Sequence, residues 1–109
     1  MDERRRRIAE HEVRFRDINE RLHEGIVGVV EADELIDFLC ECGAADCRDG
    51  LRVTLGEYEA VRSSSRQFAV VPGHEIPDVE DVIRREDRFV VVRKHEDTTA
   101  IVAAADPRD

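Results

Sequence analysis

Residues 35–47 read Leu-Ile-Asp-Phe-Leu-Cys-Glu-Cys-Gly-Ala-Ala-Asp-Cys and hold all three cysteines of this 109-residue chain. The apolar run 35–40 is typical of a strand, and Gly43 ends it. Three thiols within eight residues are hard to explain as core filling. A reducing cytosol, where we expect the protein, disfavours stable disulfides and favours a metal or redox role. Residues 40–47, named the knuckle below, therefore predict a metal site.

The spacing of the knuckle suits one structural Zn²⁺ per chain. Zinc takes four donors, with sulfur at about 2.3 Å, so neighbouring sulfur atoms lie under roughly 4 Å apart. In a regular strand the Cα atoms of Cys40 and Cys42 would lie roughly 6.6 Å apart. We therefore expect the backbone to curl at Cys42, a turn that Gly43 permits. Residues 44–46 would then bring Cys47 to the third corner.

The fourth ligand is predicted to be His74. It follows Pro72 and Gly73 at the end of a predicted strand, where a rigid turn could hold an imidazole beside the knuckle. Other side chains remain open as alternatives: His11, His23, His95, Asp46 and Glu41. A further alternative is that no metal binds, with three reduced cysteines and a His74 that only caps a turn.

Apolar patterns around the knuckle predict an α+β fold: a long N-terminal helix plus a small mixed sheet with one or two short helices. Residues 51–54 alternate as a half-buried strand, and Thr54 with Glu57 matches a helix-capping box. Residues 67–71 and 89–92 read as strands. Residues 78–85 have helical spacing, with a strand as the alternative, and residues 98–109 could add an edge strand.

The chain is short enough for one domain, and it divides into four parts. We expect an N-terminal helix over 1–24, a flexible joint at 25–34, a compact metal-binding core over 35–97 and a tail at 98–109. The apolar stripe of the helix consists of Ile8, Phe15, Ile18 and Leu22. So narrow a stripe buries little area, which predicts that the helix lies outside the core and contacts another protein or a second copy.

Charge and hydropathy restrict the partners. The chain has 17 basic and 26 acidic residues, a net charge of −9. This balance disfavours nucleic acid, because phosphate backbones attract a basic face. The sequence has no apolar run near the roughly 18 residues of a membrane span, and it lacks a secretion signal. These features predict a cytoplasmic protein that binds no membrane.

Motifs for catalysis are missing from the sequence, which has no Gly-rich phosphate loop, paired-His motif or nucleophile elbow. Four protein ligands would also close the zinc site to substrate. If His74 did not bind, Glu41 or Glu75 could act as a general base beside a zinc-bound water. We predict a non-catalytic regulatory or adaptor module that acts through protein–protein contacts. The alternative is a thiol-based redox switch that releases its metal on oxidation.

Three motifs together resemble a family of small uncharacterised bacterial proteins. They are Phe38–Gly43 (FLCECG) with Cys47, Leu55–Arg62 (LGEYEAVR) and Phe68–Glu75 (FAVVPGHE). The likeness covers roughly residues 14–94, with Gln67 where the family usually has Arg. The resemblance implies that the three thiols and His74 form one shared unit, and it implies no activity.

Overall fold

The computed structural model describes residues 3–108, which form three helices and five strands. The predicted α+β class is confirmed. Along the chain the elements are α1 (Glu3–Ile26), β1 (Ile36–Leu39), β2 (Gly50–Val53), α2 (Leu55–Val61), β3 (Gln67–Val70), β4 (Glu80–Arg85), β5 (Val90–Lys94) and α3 (Glu96–Ala104).

The strands form two antiparallel sheets in place of the single mixed sheet expected. β1 pairs with β2, with Ile36 opposite Val53, and the second sheet has the order β3-β5-β4. The chain passes from one sheet to the other directly after β1. Cys40 N–H donates to the Asp49 carbonyl at 2.8 Å, and Glu41 N–H donates to the Ala69 carbonyl on β3 at 2.9 Å. The knuckle therefore starts at the junction of the two sheets.

The local signals in the middle of the chain predicted the structure well. The strands expected at 35–40, 51–54, 67–71 and 89–92 are present as β1, β2, β3 and β5, with small shifts in their ends. The capping box before α2 is confirmed in both directions. Glu57 N–H donates to Thr54 Oγ1 at 3.1 Å, and Thr54 N–H donates to Glu57 Oε1 at 2.9 Å.

Two expectations in the second half are wrong. Residues 80–85 form strand β4, the alternative reading, and not a helix. A bulge between Val82 and Arg84 interrupts its pairing with β5, so the alternation that marks a strand is broken and the apolar spacing resembles that of a helix. The tail forms helix α3 and not an edge strand. Thr98 and Val102, four residues apart, face inward on one side of this helix.

Helix α1 belongs to the core, so the expectation that it lies outside is wrong. Ile8 and Phe15 are only 8% and 4% exposed within this chain, and they are not available to a partner. Leu22 packs against the core, and Ile18 alone of the stripe remains open, at 43% exposure. Within residues 3–108, no helix combines the length and the apolar character needed to cross a bilayer.

The apolar stripe alone gives too small an estimate of the contact between α1 and the core, because polar side chains of the helix are buried as well. Arg16 lies over the Phe68 ring and donates to the carbonyls of Ser65 and Val102 at 2.8 and 2.7 Å. Each buried hydrogen-bonded group adds contacts that a count of apolar residues misses. The polar or charged residues of α1 that are buried are Glu12, Arg16, Asn19 and Glu20.

An ionic network, buried around Arg62 and partly exposed around Arg108, ties the C-terminal residues to α1 and α2. Arg62, after α2, pairs with Glu20 and with Asp106, and the Arg62 side chain is fully buried. Arg108 pairs with Glu20 at 2.6 Å and with Glu59 at 2.9 Å. Residues 98–108 are therefore part of the folded unit and not an appended tail.

A second buried cluster joins α1 to β4 and β5. Lys94 Nζ lies 2.8 Å from Glu12 Oε1 and 3.4 Å from Glu80 Oε1, with all three side chains fully buried. Burial, and next the Glu80 carboxylate, raise the pKa of Glu12 well above its usual value. Two carboxyls facing one ammonium favour a proton held between them.

Replacing Glu12 by Gln should remove a pH dependence of stability. A carboxyl with a higher pKa in the folded state stabilises the fold at low pH. That stability is lost as the pH rises from about 4.5, the usual value, through the folded-state pKa. Over this range the wild type should lose free energy of unfolding relative to Glu12→Gln, as measured by urea unfolding. The exposed Glu10→Gln should follow the wild type, whereas parallel curves for wild type and Glu12→Gln would contradict the assignment.

Candidate metal centre

Four side chains with metal-binding chemistry converge where the two sheets meet. The sulfur atoms of Cys40, Cys42 and Cys47 and a ring nitrogen of His74 all lie within 4.8 Å of one another. Cys40 and Cys42 come directly after β1, Cys47 lies in the loop before β2, and His74 follows β3. The structure thus brings together all four residues predicted from the sequence.

The spacing of the ligand atoms matches a tetrahedral zinc site. Bond lengths of about 2.3 Å to sulfur and about 2.0 Å to nitrogen place those two atoms about 3.5 Å apart. His74 Nδ1 lies 3.4 Å from Cys40 Sγ and 3.7 Å from Cys47 Sγ. The imidazole therefore needs little movement to share an ion with the thiols.

Backbone amides face each sulfur atom. Val71 N–H donates to Cys40 Sγ at 3.2 Å. The backbone N–H of Ala44 interacts with the Cys42 sulfur, and the backbone N–H of Asp49 interacts with the Cys47 sulfur. In both of these pairs the donor lies two residues after the cysteine, so the backbone turns that follow Cys42 and Cys47 bring N–H groups toward the sulfur atoms. Such donors favour the thiolate form that binds metal.

The three thiols differ in acidity. The hydrogen bond between Cys40 and Cys42 lowers the pKa of Cys42 to about 5. The same bond, followed by burial, raises the pKa of Cys40. Burial is the main cause that raises the pKa of Cys47. Cys42 is therefore the most acidic of the three thiols, and a metal ion would deprotonate the others.

Side chains of helix α1 contact the knuckle and the residue that precedes it. The Asn19 side chain accepts from Leu39 N–H at 2.9 Å and donates to the Leu39 carbonyl at 2.8 Å, as a neighbouring strand would. It also donates to Glu41 Oε2 at 2.8 Å. Nearer the start of the helix, Ile8 packs so closely that a Cβ on Gly43 would lie 2.3 Å from Ile8 Cγ2. A side chain at residue 43 would therefore force Ile8 to move away from the knuckle.

A tight turn presents His74. Gly73 has a φ of +96°, a conformation that side chains other than glycine rarely adopt. His74 N–H donates to the Val71 carbonyl at 2.9 Å, closing the turn directly after β3. Glu75 accepts from Gly73 N–H at 2.8 Å and so braces the same turn.

None of the other candidate ligands belongs to this cluster of four. His11 Nδ1 is 3.0 Å from the Gly43 carbonyl, His23 pairs with Glu59, and His95 pairs with Asp81. Glu41 is buried and accepts from Ala69 N–H at 3.0 Å as well as from Asn19. Asp46 is exposed on the rim of the site.

An open groove of about 490 Å³ lies over the site. Its walls include Cys42, Cys47 and His74, and acidic side chains form part of the rim. Cys40 and Cys42 are 1% and 2% exposed, so Cys47 is the least buried of the three cysteines. The groove is therefore the route by which a metal ion or a chelator would reach the ligands.

Sequence reasoning missed two residues that support the site. Asn19 stands in a strongly charged stretch of α1, where nothing in the local pattern separates it from surface residues. Asp49 follows Cys47 by two positions, and its carboxylate Oδ2 lies 3.5 Å from His74 Nε2. Its proximity to the cysteines in sequence was the only signal that could have pointed to it.

In comparisons with known proteins, no family model, no curated protein and no solved structure matches this chain. The resemblance to small bacterial proteins therefore stays a prediction.

Proposed function

We propose that this protein is a small zinc-binding adaptor or regulatory module without catalytic activity. The observation that carries the proposal is the convergence of three sulfur atoms and one imidazole nitrogen within 4.8 Å. Zinc suits this donor set, because Cys₃His sites are a common form of structural zinc centre. An iron–sulfur cluster usually needs four cysteines, and the chain has three.

A structural role fits the position of the site better than a catalytic one. Four protein ligands leave no coordination position for a water molecule or a substrate. The two carboxylates considered as general bases are also engaged: Glu41 by Asn19 and Ala69, and Glu75 by Gly73 and Arg85. An ion held at the junction of the two sheets would link β1, the loop before β2 and the end of β3.

Protein purified without added metal should contain about one zinc per chain by elemental analysis. His74→Ala should lose most of this zinc, because it removes one of four ligands. The matched variant His95→Ala, which alters a partly exposed histidine paired with Asp81, should keep it. Stripping the metal should lower the melting temperature by more than about 10 °C, given 4–8 °C per kcal/mol in a domain of this size. Protein without zinc and with three freely titrating thiols would overturn the proposal.

The adaptor role draws support from the segment that joins α1 to β1. Val27 and Val29 are 53% and 79% exposed there, and Leu35 is 36% exposed. The turn is hydrogen-bonded, with Val29 N–H donating to the Ile26 carbonyl at 2.9 Å, and Gly28 has a φ of +83°. Exposed valines on a formed turn suit contact with another protein. We therefore expect a partner protein to contact this segment, because Ile8 and Phe15 are buried.

A double change, Val27→Ser with Val29→Ser, should remove a partner without affecting zinc. Tagged protein would be purified from its own cells after crosslinking, and the captured proteins compared. We expect a protein that wild type retains and the double variant loses. Ile83→Ser changes another exposed apolar side chain, 40% exposed on β4, and should retain the same protein. Identical captures for wild type and the double variant would exclude this surface.

A redox switch is the second candidate, favoured by the partial exposure of Cys47 beside the groove. In that function, two thiolates, one hydrogen peroxide and two protons would give one disulfide and two waters, and the zinc would be released. A thiol reductant would restore the thiols and allow the metal to bind again.

Mild peroxide distinguishes the two candidates. We expect the folded protein to retain its zinc, since Cys40 and Cys42 are almost fully buried. Release is followed with a chromogenic zinc chelator during stepwise addition of hydrogen peroxide. The urea-unfolded protein serves as control and should lose its zinc at once. Zinc release from folded protein that a thiol reductant reverses would favour the switch over the adaptor.

A further inference from the structure

The two nitrogens of the His74 ring face different chemical groups. Nδ1 points at Cys40 and Cys47, at 3.4 and 3.7 Å from their sulfur atoms. Nε2 points away from the thiols, and it lies 3.5 Å from Asp49 Oδ2. The ring is thus placed between the thiols and a carboxylate.

Asp49 is itself fixed to the ligands through its backbone. Its carbonyl accepts from Cys40 N–H at 2.8 Å, and its N–H lies near the Cys47 sulfur, where it acts to lower the pKa of that thiol. One residue therefore contacts two of the cysteines through its main chain and the histidine through its side chain. The hydrogen bond from Cys40 N–H thus fixes the backbone of Asp49. From this position the Asp49 carboxylate extends toward the His74 ring.

We propose that Asp49 is a positioning residue for the metal centre, whose carboxylate accepts the Nε2–H of His74 and orients Nδ1 toward the ion. The inference rests on the proposed function, because it assumes that the site binds zinc. A neutral imidazole that binds metal through one nitrogen carries its proton on the other. A carboxylate at that proton fixes the ring orientation and makes the coordinating nitrogen a stronger donor.

The neighbouring acids of the groove do not have this relationship to His74. Glu75 is occupied by Gly73 N–H and by Arg85. Asp46 lies on the rim, between Ala45 and Cys47, and is exposed. Asp46 carries the same charge as Asp49 in the same groove, so it separates a specific contact from a general electrostatic effect.

Zinc affinity of the full-length protein tests the assignment. Replacing such outer carboxylates typically weakens metal binding 10–100-fold. Because the Asp49 side chain is 63% exposed, water screens part of its effect, and we expect Asp49→Ala to weaken zinc binding about tenfold. Asp49→Glu should recover part of the affinity, and Asp46→Ala should match the wild type. Affinity is measured by competition with a chromogenic chelator.

A spectroscopic readout separates positioning from a general loss of structure. In zinc-loaded wild type, ¹⁵N-detected NMR should show His74 with its proton on Nε2, protected from exchange with solvent. In Asp49→Ala this proton should exchange faster. The cobalt-substituted protein should meanwhile keep the thiolate-to-metal absorption of three cysteines, because the ligands themselves are unchanged.

The outcomes separate the two proposals. Wild type that binds no zinc contradicts the proposed function. Wild type that binds zinc, with Asp49→Ala and Asp46→Ala equal to it within twofold, overturns the role of Asp49 alone. Equal weakening by both alanine variants also overturns it, because the effect would then come from general negative charge in the groove.

Discussion

Residues 39–43 lie between helix α1 and strand β3 and are hydrogen-bonded to both, and the rest of the structure depends on this arrangement. On one side Asn19 binds both backbone groups of Leu39. On the other, Glu41 pairs with Ala69 on β3 through its backbone N–H and through its carboxylate. Cys40 and Cys42 flank Glu41, so the backbone that carries both cysteines is held by hydrogen bonds that do not involve an ion.

The same arrangement explains why a helix with a narrow apolar stripe is part of the core. Its inward face bonds to the knuckle through Asn19, to the α3 backbone through Arg16, and to Lys94 through Glu12. Buried charged groups are costly unless they are paired, and on this face Glu12 lies against Lys94, Glu20 lies against Arg62, and Arg16 donates to two backbone carbonyls. Polar groups thus connect the helix, both sheets and the C-terminal residues into one unit.

The site was more predictable from the sequence than the packing around it. Cys40, Cys42, Cys47 and His74 could be found because the chemistry of thiols and the Pro-Gly-His turn are local signals. The strands around Val53 and Val91 and the cap at Thr54 are local signals of the same kind. The burial of Asn19 and Arg16 depends on partners 20 or more residues away, and no local pattern marks it. The bulge after Val82 likewise depends on pairing with β5.

The net negative charge of the chain restricts which partners could bind its surface. The chain has 26 acidic residues against 17 basic ones, and some of its arginines pair with acids of the same chain, Arg62 in the interior and Arg108 at the surface. The segment 24–37 has five acidic residues and no basic one, and it carries the exposed valines. A partner at this surface would therefore need both apolar and basic side chains.

The coordination of the metal in the intact protein is the most direct test of this account. X-ray absorption at the zinc edge of the protein as purified should give three sulfur neighbours at about 2.3 Å and one nitrogen at about 2.0 Å. This result would place zinc among Cys40, Cys42, Cys47 and His74. A shell dominated by oxygen and nitrogen, with fewer than three sulfur neighbours, would contradict the central claim.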